Sequence, residues 1–134
     1  MGDGTEPVGD DEYLYRRIPL VFGPEGQQPS PKAFRPRESD KTGISFFRAK
    51  YTSPEQVAAN NREKHYYIAV LLAGDLRANG FQIVPRPEGH PPGHAEIPDL
   101  TWYNRRTNRA EEAQQLLAQK LCLKIFGPLP KDSS

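Results

Sequence analysis

Residues 66–85, YYIAVLLAGDLRANGFQIVP, contain the longest apolar run in the chain and constrain it most. A short apolar run on its own suits a buried strand or the start of a helix. The aromatic pair Tyr66–Tyr67 with Ile68 and Val70 favours an extended entry. Leu71, Leu72, Ala73, Leu76 and Ala78 favour a helix, which the stretch predicts through Asn79 with Gly80 as its C-terminal stop. Residues 81–84 then read as a second strand, stopped by Pro85 and Pro87.

The flanking segments supply partners for that unit. Residues 13–22, YLYRRIPLVF, alternate as a strand, with Leu14, Arg16 and Ile18 on one face and Tyr13, Tyr15 and Arg17 on the other. Pro19 cannot donate to a ladder, so it ends this strand or sets it at an edge. Residues 32–41 suit a short strand and a charged turn. Residues 43–51, GISFFRAKY, read as a strand with Ile44, Phe46, Arg48 and Lys50 on one side, and its arginine predicts a solvated end. Residues 93–100 form another, cut short by Pro98.

Helix signals are clearest at Ser53, which with Pro54, Glu55 and Gln56 makes a capping box followed by a short helix ending near Asn60 or Asn61. Asn108 with Glu111 predicts a helix over 109–126, whose Ala113, Leu116, Leu117, Leu121 and Ile125 form an apolar stripe. The expected fold is α+β. It is a single small domain over 13–127 with a mixed or antiparallel sheet, a short central helix and a C-terminal amphipathic helix packed on the sheet. Residues 1–12 and 128–134 read as disordered tails.

Fourteen prolines and eleven glycines punctuate the chain, with loops at 23–31 and 86–92. The formal charge is +1. The first twelve residues carry Asp3, Glu6, Asp10, Asp11 and Glu12 without a basic residue, so the rest is basic by about six charges and has scope for anion binding. The single Cys122 lies in the predicted terminal helix and reads as a packed thiol rather than a nucleophile. Neither a long uncharged apolar stretch nor a basic-then-apolar leader is present, which predicts a cytoplasmic protein without membrane association.

The common nucleotide, zinc-protease and redox signatures are absent, as is the G-x-S-x-G elbow. No cofactor is expected. His90 and His94, flanked by Glu88 and Glu96, are of the right type for zinc, but the prolines between them exclude a helical pair and favour a turn. A Ser/His/Asp set from Ser45, His94 and Asp75 can be written down without any spacing to support it. Arg16–Arg17, Arg35 with Arg37, and Arg105, Arg106 and Arg109 are the basic clusters. Trp102 and Tyr103 beside the last of these make a candidate nucleic-acid surface, since aromatics stack bases and guanidinium groups hold phosphate.

The segments LYRRIP (14–19), S-x-K-A-F (30–34), GIS (43–45), TSPE (52–55) and GHAEI (93–97), in that order, resemble a group of small uncharacterised bacterial proteins. Those read LYRR-I/V, S-x-x-A-F, a short S-V-type strand, T-x-E-E/P-E and P-x-H-A-x-I. The resemblance implies that Arg16, Arg17 and His94 occupy recurrent positions of that group. A fainter similarity is to the ADP-ribosyltransferase-like RES toxins, and it implies a site of Arg16, Ser45 and Glu55; their glycine-arginine-tryptophan-asparagine run is absent here.

The leading expectation is a non-enzymatic accessory module of a bacterial cytoplasmic system. It would dock an unidentified protein partner through Tyr15, Arg16, Arg17, Arg35 and Arg37, by strand addition to the first strand. The enzyme alternative, ADP-ribosyl-transferring or nucleotide-processing, uses Arg16, Ser45, Glu55 and His94 and predicts that they converge on one pocket. The third is a weak nucleic-acid binder.

Overall fold

The computed structural model describes residues 3–24, 28–59 and 65–129. The proposed stops at Asn60 or Asn61 and the tail at 130–134 lie outside the described residues. The strands are β1 (Tyr13–Pro19), β2 (Ile44–Arg48), β3 (Tyr66–Leu72), β4 (Val84–Pro85), β5 (His94–Ile97) and β6 (Lys124–Leu129). They form one antiparallel sheet in the order β4-β5-β2-β1-β3-β6. The helices are α1 (Pro54–Ala58), α2 (Ala73–Ala78) and α3 (Asn108–Leu116), and α3 runs on into a π-helical turn, Leu117–Leu121. The expected α+β domain with a terminal helix on the sheet is the observed one.

Alternation along the strands sorts their side chains onto two faces. Leu14, Ile18, Ile44, Phe46, Leu71, Ala95 and Ile97 point into the main core, where Phe34, Ala110, Leu117, Ala118 and Leu121 meet them from α3 and its neighbouring turns. On the opposite face Val57 and Ala58 of α1 pack on Ile68, Leu129, Tyr15, Phe47 and Tyr66. Ser53 accepts from the Gln56 amide while Gln56 reaches back to the Ser53 amide, so the predicted capping box forms. The five-residue α1 is too short to cover a six-stranded face, and the uncovered part over β2 and β5 is where a cleft opens.

Several expectations need correction. β1 does not lie at an edge: it pairs with β3 along its whole length and with β2 at its start. Residues 81–83 are irregular, and the strand there is only Val84–Pro85. Residues 31–34 form a 3-10 turn instead of a strand. The cap of α3 is Thr107, one residue before the expected Asn108. The terminal helix does not reach Phe126. Lys124–Leu129 leaves the helical stripe to pair with β3, which would otherwise expose its outer ladder, and Pro128 and Leu129 therefore belong to the sheet.

The acidic N-terminus is packed over residues 3–12. Val8 is buried in the main core, and the Glu12 and Asp10 carbonyls accept from the amides of Ala73 and Gly74, prolonging the ladder beyond β1. The reason is Arg48. Expected at a solvated end, it is fully buried on the core face of β2, and the N-terminal segment wraps it. Glu12 takes both its Nε and Nη2 at 2.8 and 2.7 Å, Glu6 takes Nη1 at 3.2 Å, and the Glu6 carbonyl accepts at 2.9 Å.

Candidate functional site

β1 and β2 share two rungs, Leu14↔Arg48 and Tyr15↔Phe47, and then part. Beyond them the carbonyl of Ser45 has no partner in β1, and the Arg16 side chain fills the gap. Its Nη1 donates to that carbonyl at 2.9 Å and its Nε donates to the Ala33 carbonyl at 3.1 Å. The rings of Phe34 and Phe46 flank the guanidinium at 5.8 and 5.7 Å. Arg16 is only 7% exposed, and burial pushes its pKa down to about 10, against the attraction of Asp40 and with the repulsion of Arg37 and Arg17. It cannot belong to a docking surface.

Arg16 reaches the floor of a small cleft of about 120 Å³ bordered by Arg17, Arg37, Ser39, Asp40 and Ser45. The Asp40 carboxylate accepts the Arg37 backbone N–H at 2.7 Å. Arg17 stands on the open face of β1, donates to the Val57 carbonyl at 3.3 Å and lies 5.1 Å from the centre of the Tyr66 ring. Burial lowers its pKa too. Among the described residues neither Arg16, Arg17 nor Arg37 forms an ion pair.

Arg17, Ser45 and Phe47 also line the adjoining cleft of about 510 Å³, so the two clefts meet at these three residues. Its walls are Tyr51, Thr52 and Gln56 on the α1 side and His90, Pro91 and Pro92 on the other. His94 lies opposite Phe47 in the β2–β5 ladder, which sets it diagonally beside Ser45 on the open face. The His94 Nδ1 is 2.9 Å from the carbonyl of Arg86, which only accepts, so Nδ1 carries the proton. Nε2 is then the acceptor for the Ser45 hydroxyl, 3.1 Å away. Burial holds the His94 pKa below its usual value, helped by the neighbouring His90 and opposed by the Arg86 carbonyl, Glu96 and Asp40, so the ring is neutral near neutral pH.

Arg16, Arg17, Arg37, Ser45 and His94 thus come together although the sequence supplied them from separate segments. Glu55 does not join them: it is exposed on the first turn of α1, and its neighbour Gln56 lines the cleft. Tyr15 packs beneath α1 and Arg35 is exposed outside both clefts. Asp75 is on α2, so the Ser/His/Asp set reduces to Ser45 and His94.

The rings of His90 and His94 stack with centroids 3.8 Å apart and planes at 18°. Their in-plane lone pairs therefore do not converge, and both nitrogens of His94 are engaged, so the two are not a metal-ligand pair. Trp102 is half-buried and carries its own cation: the Arg105 guanidinium lies 3.3 Å from the ring centre and donates to the Trp102 carbonyl at 2.6 Å. Tyr103 and Arg106 are exposed nearby, whereas Arg109 borders a different cleft on α3. Cys122 is half-buried, and burial pushes its pKa up to about 11, which suits packing and not nucleophilic attack.

Sequence reasoning missed the cleft walls Phe47, Tyr51, Thr52, Gln56 and Pro91. Gly93 was a usable signal. Its φ of 90° and the 2.7 Å that would separate an added Cβ from the Tyr51 Cβ bring the two walls together beside His94.

Comparison with family models, curated proteins and solved structures returns no match. The site is read from its own geometry. No helix among the described residues is long and apolar enough to cross a membrane.

Proposed function

We propose that this protein binds a small phosphate-bearing ligand of the nucleotide type where β1 and β2 part. The phosphate sits among Arg16, Arg17 and Arg37, and the flat organic part lies in the larger cleft against Phe47 and Tyr51. One contrast carries the reading. Of the two buried guanidinium groups, Arg48 is neutralised by two carboxylates in contact, while Arg16 donates to carbonyl oxygens, with Asp40 attracting it from the cleft without an ion pair and Arg37 and Arg17 repelling it. A buried cation without a carboxylate in contact is costly, and an anion in the cleft offsets that cost. Guanidinium groups also match phosphate oxygens in geometry. A bacterial cytoplasmic setting is the expectation that accompanies this proposal.

Calorimetric titration of the full chain with adenosine monophosphate and with inorganic phosphate tests it. Saturable binding is expected for both, tighter for the nucleotide. Arg17→Gln and Arg37→Gln should each weaken both by about 10-fold or more, the worth of one charged hydrogen bond. Absence of saturable binding, or unchanged affinity in both variants, overturns the proposal.

A second reading keeps the protein partner but moves it from β1. Tyr13, Leu123 and Phe126 are exposed around the outer strand β6 and border an apolar recess with Tyr15 and Val70. Strand addition would use that edge, and Phe126→Lys should abolish partner capture; capture that survives the change excludes it.

A further inference from the structure

We propose that Ser45 and His94 are a nucleophile and its general base, and that the protein hydrolyses a phosphate monoester whose phosphate lies in the arginine cleft. The inference rests on the phosphate-binding reading above and adds a reaction to it. Ser45 is the residue common to both clefts that carries a hydroxyl, so it stands where the phosphate meets the organic group. Its hydroxyl donates to a histidine nitrogen whose opposite nitrogen is locked as a donor to a backbone carbonyl. This is the arrangement of an activated nucleophile: base within hydrogen-bond reach, and the base oriented by a third group. Both residues sit on paired strands, and the His94 ring is held between the Phe47 ring, inclined at 62° with centroids 5.6 Å apart, and the stacked His90 ring. Rigid elements keep such a pair in register better than loops do.

The chemistry balances with water as the only co-reactant. The Ser45 Oγ bonds to phosphorus while the ester P–O bond breaks, and the hydroxyl proton passes to His94 Nε2 and on to the departing alkoxide, giving the alcohol. Water then attacks the phosphoserine phosphorus and loses its proton to Nε2. The Ser45 Oγ leaves with that proton, restoring the hydroxyl and releasing inorganic phosphate. Arg17 and Arg37, aided by buried Arg16, meet the charge on the phosphoryl oxygens, where a preorganised cation is most effective.

The test uses the full chain and p-nitrophenyl phosphate. Nitrophenolate release is expected, with Ser45→Ala and His94→Asn each lowering the rate by at least about 100-fold. Inorganic phosphate affinity should stay within about threefold of the parent in Ser45→Ala, since the cations are untouched. A fluorophosphonate probe applied to the unaltered chain gives a readout free of folding effects: the Ser45 Oγ–P bond forms, P–F breaks, and peptide mass mapping finds the adduct on Ser45. If neither release nor a Ser45 adduct is observed, the catalytic assignment falls while phosphate binding survives. Loss of phosphate binding in the unaltered chain instead removes the reading beneath it, and the catalytic assignment with it.

Discussion

Replacing Glu12 by Gln should uncover how the N-terminal segment is held. Arg48 has no exposed surface, and Glu12 engages two of its nitrogens at 2.8 and 2.7 Å. Removing one partner of a buried pair costs about 3–5 kcal/mol, because the remaining charge stays buried without compensation. Glu6 at 3.2 Å and the Glu6 carbonyl at 2.9 Å still oppose the cation, so the lower end, about 3 kcal/mol, applies here. For a domain of this size that lowers Tm by roughly 10 °C in a calorimetric scan. Adding Arg48→Met removes the stranded charge itself, and the double variant should be more stable than the sum of the single effects by about 2 kcal/mol. If Glu12→Gln melts within about 2 °C of the parent, or if the two changes simply add, the account of Arg48 as the anchor of residues 3–12 is refuted.

Three further outcomes are expected. Gly93→Ala forces a side chain into a left-handed conformation and against Tyr51, so it should cost at least about 2 kcal/mol in denaturant unfolding and weaken phosphate binding as the cleft wall shifts. Ser53→Ala removes the cap of α1 and should cost about 1 kcal/mol by the same measurement. The third is a pH effect. Glu6 has its pKa drawn down to about 2, chiefly by the Tyr51 hydroxyl and then by its own backbone amide, Arg48 and Lys50. A depressed carboxylate contributes stability that is complete above its unfolded value near 4.5 and is lost as pH falls toward about 2. Thermal scans from about pH 6 to about pH 2 should show that loss, and Tyr51→Phe, which deletes the largest cause, should make it shallower.

Local chemistry in the sequence was enough for some elements. The Ser53–Gln56 box specifies α1, and the order strand, helix, glycine in residues 66–80 is realised as β3, α2 and a left-handed Gly80. It failed where a distant residue decides. The acidic segment looks unfoldable until its counter-charge is found thirty-six positions away on Arg48. The stripe of Leu117, Leu121 and Ile125 keeps helical spacing across the end of the helix, yet β3 needs an outer partner and recruits Lys124–Leu129. For the site, the arginines, Ser45 and His94 were each visible as residues. What joins them is the neighbour relation of β5, β2 and β1, which no local pattern encodes.

The two shared rungs between β1 and β2 make this sheet two three-stranded leaves stitched along a seam. Leu14 belongs to the apolar core, but the seam is spanned by arginines: Arg48 tied to the N-terminal segment at one end and Arg16 bridging the parted backbones at the other. Apolar contacts weaken on cooling, whereas the carboxylates that hold Arg48 let go as acid protonates them. The leaves should therefore separate first under acid, with amides of β2 and β5 exchanging ahead of those in β1 and β3. An anion lodged between them would act as one more stitch, so that occupancy of the cleft and cohesion of the whole sheet rise and fall together.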